Sequence, residues 1–500
     1  MNDSSSPILS WSTLPPPLIT KILTYLHPYH KPSIRLINRH WTHAANKVLF
    51  THLETMDTPE LIEKFQHQLT ALDNHSPSLG TLTRMVNSLA PSKVTSLYWD
   101  LSNFKPELLT EVINKFEFLE TFTLTGLEST NFDEEGHLDP IISALRNLQK
   151  LESFSIIQDY SPIPIKLIDV LDALKLKELV VECDSENISQ LTNQLYKMPY
   201  LEVLNFRVMY QSANSNSSGV ISPNQLLLAN NKFTSLKLST DDYSSFSVNT
   251  DYLSSEFEKS LSNPNISNLT IFEWLYNTQA NIPTIFTNSI QQSDPILCSK
   301  LTRLSLFCID TYLMEHIATH FPNLNQLTFA SPLVLPCNYK TNTYKPLTHL
   351  TKLSFKGLTL ELRENHSIIK KLMPNVVTVN LSYITDKTLI LLRDASYIPL
   401  MFPNLRFAMF ELTDYKLERL ILDYNSPLTW ESLYLTIDDT NLHLYNPLIK
   451  KCPMLKELFI YDQVGINTVI RVDKGNELDM YIVDLPGQCS FDFNYYRKLD

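Results

Sequence analysis

The chain has 500 residues, 43% of them hydrophobic and 19% charged, so it is globular and too long for one ordinary compact core. Its net charge of −12 disfavours a broad nucleic-acid surface, which is normally basic. Only eight glycines occur, and no G-x-G-x-x-G or Walker motif is present. We therefore expect no nucleic-acid partner and no nucleotide or other cofactor.

The sequence also predicts no membrane contact. No segment approaches the roughly 18 consecutive apolar residues that a membrane-spanning helix needs. The first letters, MNDSSSPILSWS, include no basic residue, unlike a secretory signal. The six cysteines form no C-x-x-C pair, which indicates buried thiols and no metal site. We expect a cytoplasmic and/or nuclear protein.

Residues 11–50 predict three short helices. The first has a single apolar face, since Ile19, Ile22, Leu23 and Leu26 stand at i, i+3, i+4 and i+7. Ile34 and Ile37 suggest a second helix, and a third carries Trp41, Ala44, Ala45 and Val48 at the same spacing. Three helices in about 40 residues make a marginal core, which gains stability by packing on a partner.

A six-letter pattern, apolar-x-x-apolar-x-apolar, then recurs fourteen times, most often at intervals of 25 or 26 residues. The copies begin at Val94, Leu119, Leu151, Leu176, Leu201, Phe233, Ile266, Leu301, Leu324, Leu350, Val376, Leu405, Trp430 and Leu455. The last two apolar letters alternate with period two, which predicts a short strand with one buried face. Longer intervals indicate loop insertions such as 211–224.

Apolar helical runs separate the strands, and prolines at 199, 322, 374, 403 and 453 are expected to end them. One strand–helix unit cannot cover its own apolar face, so neighbouring units must stack. The period and the L-x-x-L-x-L core are those of the leucine-rich repeat. The asparagine that typically follows the strand is irregular here, so we expect its ladder to be largely missing.

Some copies resemble the cysteine-containing subtype of leucine-rich repeat. In LSYITDKTLILL (381–392), Ile384, Thr385, Asp386 and Leu389 match that pattern, whereas Tyr383 departs from it. LSLFCIDTYL (304–313) is a looser match, and KCPMLKELFI (451–460) is similar to the start of the repeat.

The N-terminal segment resembles the F-box. The matching residues are Leu14, Pro15, Ile19, Ile22, Leu23, Tyr25, Leu26, Arg39, Trp41, Ala45, Leu49 and Phe50. Pro17 stands where the family often has an acidic residue, and the turn after Leu26 is short. The resemblance implies docking on the Skp-family adaptor of a cullin ubiquitin ligase through amphipathic helices. The adaptor-binding residues it implies are Leu14, Pro15, Ile19, Ile22, Leu23, Leu26 and Trp41.

The sequence carries no catalytic signature. His316 and His320 stand four residues apart, but Ile317 occupies the place of the glutamate in H-E-x-x-H. The acidic clusters at 133–135, 241–242 and 438–439 are interpreted as solvated loops. We expect no catalytic residue and no metal site.

These patterns together predict an α/β protein, a three-helix F-box followed by a curved leucine-rich-repeat solenoid with a parallel sheet on its concave face. The predicted domains are an F-box (8–52), a helical linker or N-terminal cap (53–90), degenerate repeats (91–475) and a C-terminal cap or tail (476–500). The predicted function is a non-catalytic substrate receptor of an SCF-type ubiquitin ligase, with an unknown protein substrate. A non-catalytic scaffold, whose N-terminal helices only cap the repeats, is the alternative, and a leucine-rich-repeat enzyme regulator is a weaker one.

Overall fold

The fold is taken from a computed structural model of the whole chain. The residues it describes are 14, 18–19, 21–22, 52–54, 71–74, 94–100, 106–116, 118–126, 138–157, 163–184, 188–210, 222–240, 256, 259–276, 298–306, 311–329, 333, 345–355, 366–381, 394–411, 426–437, 445–462, 467–472 and 478–482. The chain forms two compact units. One is Met1–Leu201 with Met209–Ser215 and Phe493–Asp500, and the other is Glu202–Val208 with Asn216–Asp492.

In the first unit, each described strand pairs in parallel with the next one along the chain. The strands are β1 (His52–Glu54), β2 (Ala71–Asn74), β3 (Ser96–Asp100), β4 (Thr121–Thr125), β5 (Ser153–Ile157) and β6 (Glu178–Asp184). The helices are α1 (Pro106–Lys115), α2 (Leu138–Arg146), α3 (Ile165–Ile168) and α4 (Ile188–Leu195), with a 3₁₀ turn at Leu171–Ala173.

The second unit repeats this arrangement. Its parallel strands are β7 (Val203–Tyr210), β8 (Ser235–Thr240), β9 (Ile271–Tyr276), β10 (Arg303–Leu306), β11 (Gln326–Phe329), β12 (Lys352–Phe355), β13 (Thr378–Leu381), β14 (Phe407–Glu411), β15 (Ser432–Ile437) and β16 (Glu457–Asp462). Its helices are α5 (Pro223–Ala229), α6 (Thr311–His320), α7 (His366–Leu372), α8 (Asp394–Met401) and α9 (Tyr445–Lys451), with a 3₁₀ turn at Pro264–Asn268. Two antiparallel strands follow, β17 (Asn467–Val472) and β18 (Leu478–Ile482).

The predicted parallel strands are confirmed, and thirteen of the fourteen copies have the predicted register. In each of these the strand begins two residues after the first apolar letter, as Arg303 does after Leu301. The apolar letters of this copy, Leu301, Leu304 and Leu306, are all buried. Burying a leucine side chain stabilises by about 1.5–3 kcal/mol, so a row of such triplets is the principal source of stability.

The prediction for the seventh copy is wrong. The pattern places its apolar letters at Ile266, Leu269 and Ile271, but the strand buries Phe272 and Trp274, and Leu269 is the first apolar residue. Phe272 pairs with the second apolar letters of β8 and β10. Ile266 is instead buried within the 3₁₀ turn. The pattern fits both frames, so only the neighbouring strands decide the register.

Two strands lie before the first predicted copy. His52 pairs with Ala71, and Ala71 pairs with Ser96, so β1 and β2 continue the parallel register of β3. Leu69 and Leu72 have the spacing of the first two apolar letters, but Asn74 occupies the place of the third. The polar third letter is why the pattern does not reveal this strand.

The prolines end their helices as expected. Helices α6, α7, α8 and α9 stop two residues before the prolines at 322, 374, 403 and 453. The helix before Pro199, α4, stops at Leu195. After each of these helices the chain turns directly into the next strand, so the connection from helix to strand is short.

A recurring main-chain contact joins successive repeats at the point where a strand begins. The amides of Thr302 and Arg303 both donate to the Thr270 carbonyl, at 2.9 and 3.1 Å. Asn325 and Gln326 donate in the same way to the carbonyl of Thr302. The pattern recurs from Thr95 to Glu178 in the first unit and from Glu202 to Glu457 in the second. One carbonyl of a repeat thus satisfies two amides of the next repeat, at the point where the next strand begins.

Asparagine side chains add a second set of contacts, just before the first apolar letter. Four asparagine side chains each donate a hydrogen bond of 2.8–3.1 Å to a carbonyl of the preceding repeat: Asn268, Asn323, Asn375 and Asn404. The acceptors are Asn231, Ser299, Thr348 and Pro374, each two residues before the first apolar letter of its own copy. These copies therefore carry an asparagine contact before the strand, and in three of them the asparagine belongs to a P-N dipeptide, at 322–323, 374–375 and 403–404.

The corrected register predicts different costs for two adjacent residues. Phe272→Ala should lower the free energy of unfolding by about 3–5 kcal/mol, because it empties a buried aromatic site. Ile271→Ala, at a half-buried position, should cost about 1 kcal/mol or less. Urea unfolding measures both, and a larger loss for Ile271→Ala would favour the register that the pattern predicts.

The asparagine contacts predict a loss that depends on position and residue type. Asn375→Ala should lower the free energy of unfolding by about 1 kcal/mol, because it removes the hydrogen bond to the Thr348 carbonyl. The control is Lys300→Ala, an exposed lysine at the equivalent position, which should stay within about 0.5 kcal/mol of wild type. Equal midpoints for the two variants in urea would show that the asparagine contact contributes nothing.

Candidate interaction surface

The structure describes three of the predicted adaptor-binding residues. Ile19 is 0% exposed, and Leu14 and Ile22 are half-buried. Leu18, which is not among the predicted contacts, is helical like Ile19 and 50% exposed. Pro15, Leu23, Leu26 and Trp41 lie outside the described residues, so the structure describes only part of the predicted adaptor site.

A larger surface is formed by the strands of the second unit. The second and fourth residues of β7–β15, and Leu458 of β16, are buried and face the helices. The first and third residues of the strands form the opposite side, called here the open face. The strand register aligns the third residues of β8–β16 in one line across the sheet. They are Lys237, Glu273, Ser305, Thr328, Ser354, Asn380, Met409, Tyr434 and Phe459.

The first part of this line carries charge. The Glu273 carboxylate lies 3.8 Å from the Lys237 ammonium and 3.6 Å from the Arg303 guanidinium. All three side chains are largely buried, so screening by solvent is weaker here than on the outer surface. Small hydroxyl side chains follow at Ser305 and Ser354, both nearly fully buried. This part of the open face is therefore polar and well ordered.

The last part of the line is apolar, and its residues Met409, Tyr434 and Phe459 are called here the aromatic row. The Tyr434 and Phe459 rings are stacked, with centroids 4.1 Å apart and planes 4° from parallel. Phe407, the first residue of β14, is 38% exposed, and the Arg406 guanidinium lies 5.9 Å from its ring centroid. Aromatic side chains held in fixed positions are typical anchors for protein partners.

An ionic cluster borders the aromatic row. The Glu431 carboxylate accepts hydrogen bonds from the Arg406 guanidinium and from the Lys456 ammonium, the latter at 2.8 Å. These bonds, first from Arg406 and then from Lys456, lower the pKa of Glu431 to about 2. Glu431 is 13% exposed, whereas Arg406 and Lys456 are 53% and 62% exposed. Two accessible cations thus share one sheltered carboxylate.

The two histidines of α6 lie close together in a partly buried position. The His316 and His320 ring centroids are 4.2 Å apart, and the edge of Phe321 packs against His316. Burial, followed by the nearby His320, lowers the pKa of His316 to about 3, so its imidazole is neutral. Among the described residues no group of three or more histidine, cysteine or acidic side chains could hold a metal ion.

The other candidate residues for chemistry are the cysteines and the acidic clusters. Cys298 and Cys452 are buried, and burial raises their thiol pKa values to about 11 and 12, which keeps the thiols protonated. The acidic clusters at 133–135, 241–242 and 438–439 lie outside the described residues. Within the part of the chain that the structure covers, no helix has the length and apolarity to span a membrane.

Parallel strands stacked in chain order at a 25-residue period, with helices returning on one side, are the architecture of leucine-rich-repeat proteins. No protein-family model matches the chain, and no curated protein matches it. The F-box resemblance therefore stands on the N-terminal residues alone.

Among solved structures, the chain is similar to one in the Toll–Spatzle complex of Drosophila, with a TM-score of 0.35 and 14% identity over 82% of this chain and 50% of that one. The glycosylated form of that complex gives a TM-score of 0.28 and 12% identity over 77% of this chain and 58% of that one. The chain spans about half the length of the chains it matches. Because these identities and TM-scores are low, the architecture of this protein is defined by its own strand register and not by the similarity.

The ionic cluster predicts a pH-dependent contribution to stability. Because the folded-state pKa of Glu431 lies below its ordinary value of 4.5, its contribution is complete above about pH 5 and is lost as the pH falls towards 2. Glu431→Gln should lower the free energy of unfolding by up to about 1 kcal/mol at pH 7, since both partners are exposed. Urea unfolding at several pH values should show that difference shrinking below pH 4.5.

Glu152→Gln is the matched control, because Glu152 also precedes a strand and pairs with Lys177 at 2.7 Å, but both side chains are more than half exposed. Its loss at pH 7 should be the smaller of the two. A difference between wild type and Glu431→Gln that does not change between pH 7 and pH 2.5 would contradict the prediction.

Proposed function

We propose that this protein is a non-catalytic scaffold that binds another protein on the open face of its repeats. The observation that supports this is the aromatic row with its neighbour Phe407. Folding does not require large apolar side chains on the side of the sheet that faces away from the helices. An apolar stretch at such a place, bordered by charged residues, is typical of a surface that contacts a partner.

We further propose that the partner is a substrate, and that the protein is the substrate-recognition subunit of an SCF-type cullin ubiquitin ligase. The support is the order and spacing of the F-box-like residues from Leu14 to Phe50. Ile19, fully buried, holds its helix in place, while exposed Leu18 offers an apolar contact beside it. In this proposal the remaining adaptor contacts are Leu14, Pro15, Ile22, Leu23, Leu26 and Trp41, and the protein works in the cytoplasm and/or nucleus without nucleic acid, membrane or cofactor.

Binding to the Skp-family adaptor tests this second proposal directly. Leu14, Pro15 and Trp41 changed together to Ala should weaken adaptor binding at least 100-fold, because the apolar anchors of the docking helix are lost. Biolayer interferometry with the purified full-length chain and the purified adaptor measures the affinity. Circular dichroism and the thermal midpoint show whether the repeats remain folded.

The control is a second triple variant, Leu228, Leu400 and Met454 changed to Ala, which removes three exposed apolar side chains from the repeats. It should bind the adaptor like wild type. Absence of adaptor binding by the wild-type chain, or equal binding by both variants, would leave the scaffold function and remove the ubiquitin-ligase role.

A further inference from the structure

We propose that the aromatic row is the anchor site for an extended segment of a partner protein that carries a large aromatic or aliphatic side chain and, two to four residues away, an acidic one. This inference rests on the scaffold function proposed above, not on the ubiquitin-ligase role. It names the chemistry of the partner and the part of the open face that binds it.

The composition of the open face changes abruptly along the sheet. On β10–β13 its first and third residues are polar: Arg303, Ser305, Gln326, Thr328, Lys352, Ser354, Thr378 and Asn380. On β14 both become apolar, as Phe407 and Met409. On β15 and β16 only the third residue is apolar, as Tyr434 and Phe459, and the first residues are Ser432 and Glu457. At about 4.8 Å per strand, Met409, Tyr434 and Phe459 span roughly 10 Å.

The geometry of the aromatic row suits a protein side chain. Tyr434 and Phe459 are stacked nearly parallel, so their orientation is fixed before any partner arrives. Met409 lies beside Tyr434 in the same line, and its unbranched side chain adapts to differently shaped neighbours. A partner that covers these residues gains apolar burial at little cost in side-chain entropy.

The acidic residue in the proposed partner segment is inferred from the charged side chains beside the aromatic row. Arg406 and Lys456 directly precede β14 and β16, and together they carry two positive charges against the single negative charge of Glu431. Glu457, the first residue of β16, adds a second negative charge beside the aromatic row. The attraction for an acidic side chain therefore comes from the accessibility of the two cations, which are 53% and 62% exposed, and not from a local excess of charge. Arg406 and Lys456 each lie three residues, or about 10 Å, before the third residue of their strand. An acidic side chain at that distance from the aromatic anchor reaches the two cations.

A displayed library of random twelve-residue peptides, panned against the full-length protein, tests the proposal even though the partner is unidentified. The enriched peptides should share an aromatic or large aliphatic residue with Asp or Glu two to four positions away. One enriched peptide is then synthesised with a fluorophore, and fluorescence polarisation gives its affinity for the wild-type chain and for variants. Failure to enrich peptides, or enrichment without the aromatic or aliphatic residue, overturns the proposal.

Two variants of the site and one control locate the binding. Tyr434→Ala removes half of the stacked pair, and Phe407→Asp places a negative charge at an exposed position, so it tests the site even if Tyr434→Ala impairs folding. Each folded variant should bind the peptide at least tenfold more weakly. Tyr200→Ala truncates an exposed aromatic residue of the first unit and should bind like wild type. Unchanged affinity of folded Phe407→Asp overturns the proposal.

A second copy of the chain is the competing occupant. Sedimentation velocity that shows a wild-type dimer, dissociated by Phe407→Asp, would assign the aromatic row to self-association and overturn the proposal. Adaptor binding measured on the same samples separates the two ideas, since the adaptor site is in the N-terminal segment. Peptide binding without adaptor binding removes only the ubiquitin-ligase role, and adaptor binding without peptide binding removes only this inference.

Discussion

One main-chain carbonyl in each repeat, accepting two successive amides from the next repeat, is the contact on which the rest of the structure depends. Thr270, Thr302 and Asn325 each provide such a carbonyl. An apolar triplet can be buried in more than one register, because its period of two allows slippage. The doubly accepting carbonyl satisfies both amides at the start of the strand once burial of the neighbouring triplets has set the alignment.

Because burial and the contacts between repeats involve other groups, the side chains of the open face can vary in type. Anchors such as Leu301, Leu304 and Leu306 supply burial, and the carbonyl and asparagine contacts join successive repeats. The side chains of the first and third residues of each strand take no part in either set of contacts. They can therefore change from an ionic group around Glu273 to stacked rings at Tyr434 and Phe459 within one unit, without altering the backbone. Specificity for a partner can thus diverge while stability is preserved.

The architecture is predictable from the sequence because burial leaves a periodic signal. Prediction fails where that signal is ambiguous or polar: Ile266-Leu269-Ile271 and Leu269-Phe272-Trp274 satisfy the same pattern, and Asn74 hides β2. The aromatic row is not predictable in this way, because Met409, Tyr434 and Phe459 become neighbours only through strand pairing. The signal that could have found it is a large apolar letter at the variable position in three consecutive copies. For Glu431 and its two partners the signal is a 25-residue spacing of opposite charges.

The reversal of strand direction after β16 has a consequence for how such an array can lengthen. Between β7 and β16 every strand offers the same row of backbone groups to its successor, so duplication of a whole strand–helix segment there recreates a compatible junction on both sides. Beyond β16, β17 runs the opposite way and presents a different pattern of hydrogen-bonding groups. An added repeat is therefore compatible with its neighbours between β7 and β16, whereas directly after β16 it would meet a strand that runs the opposite way.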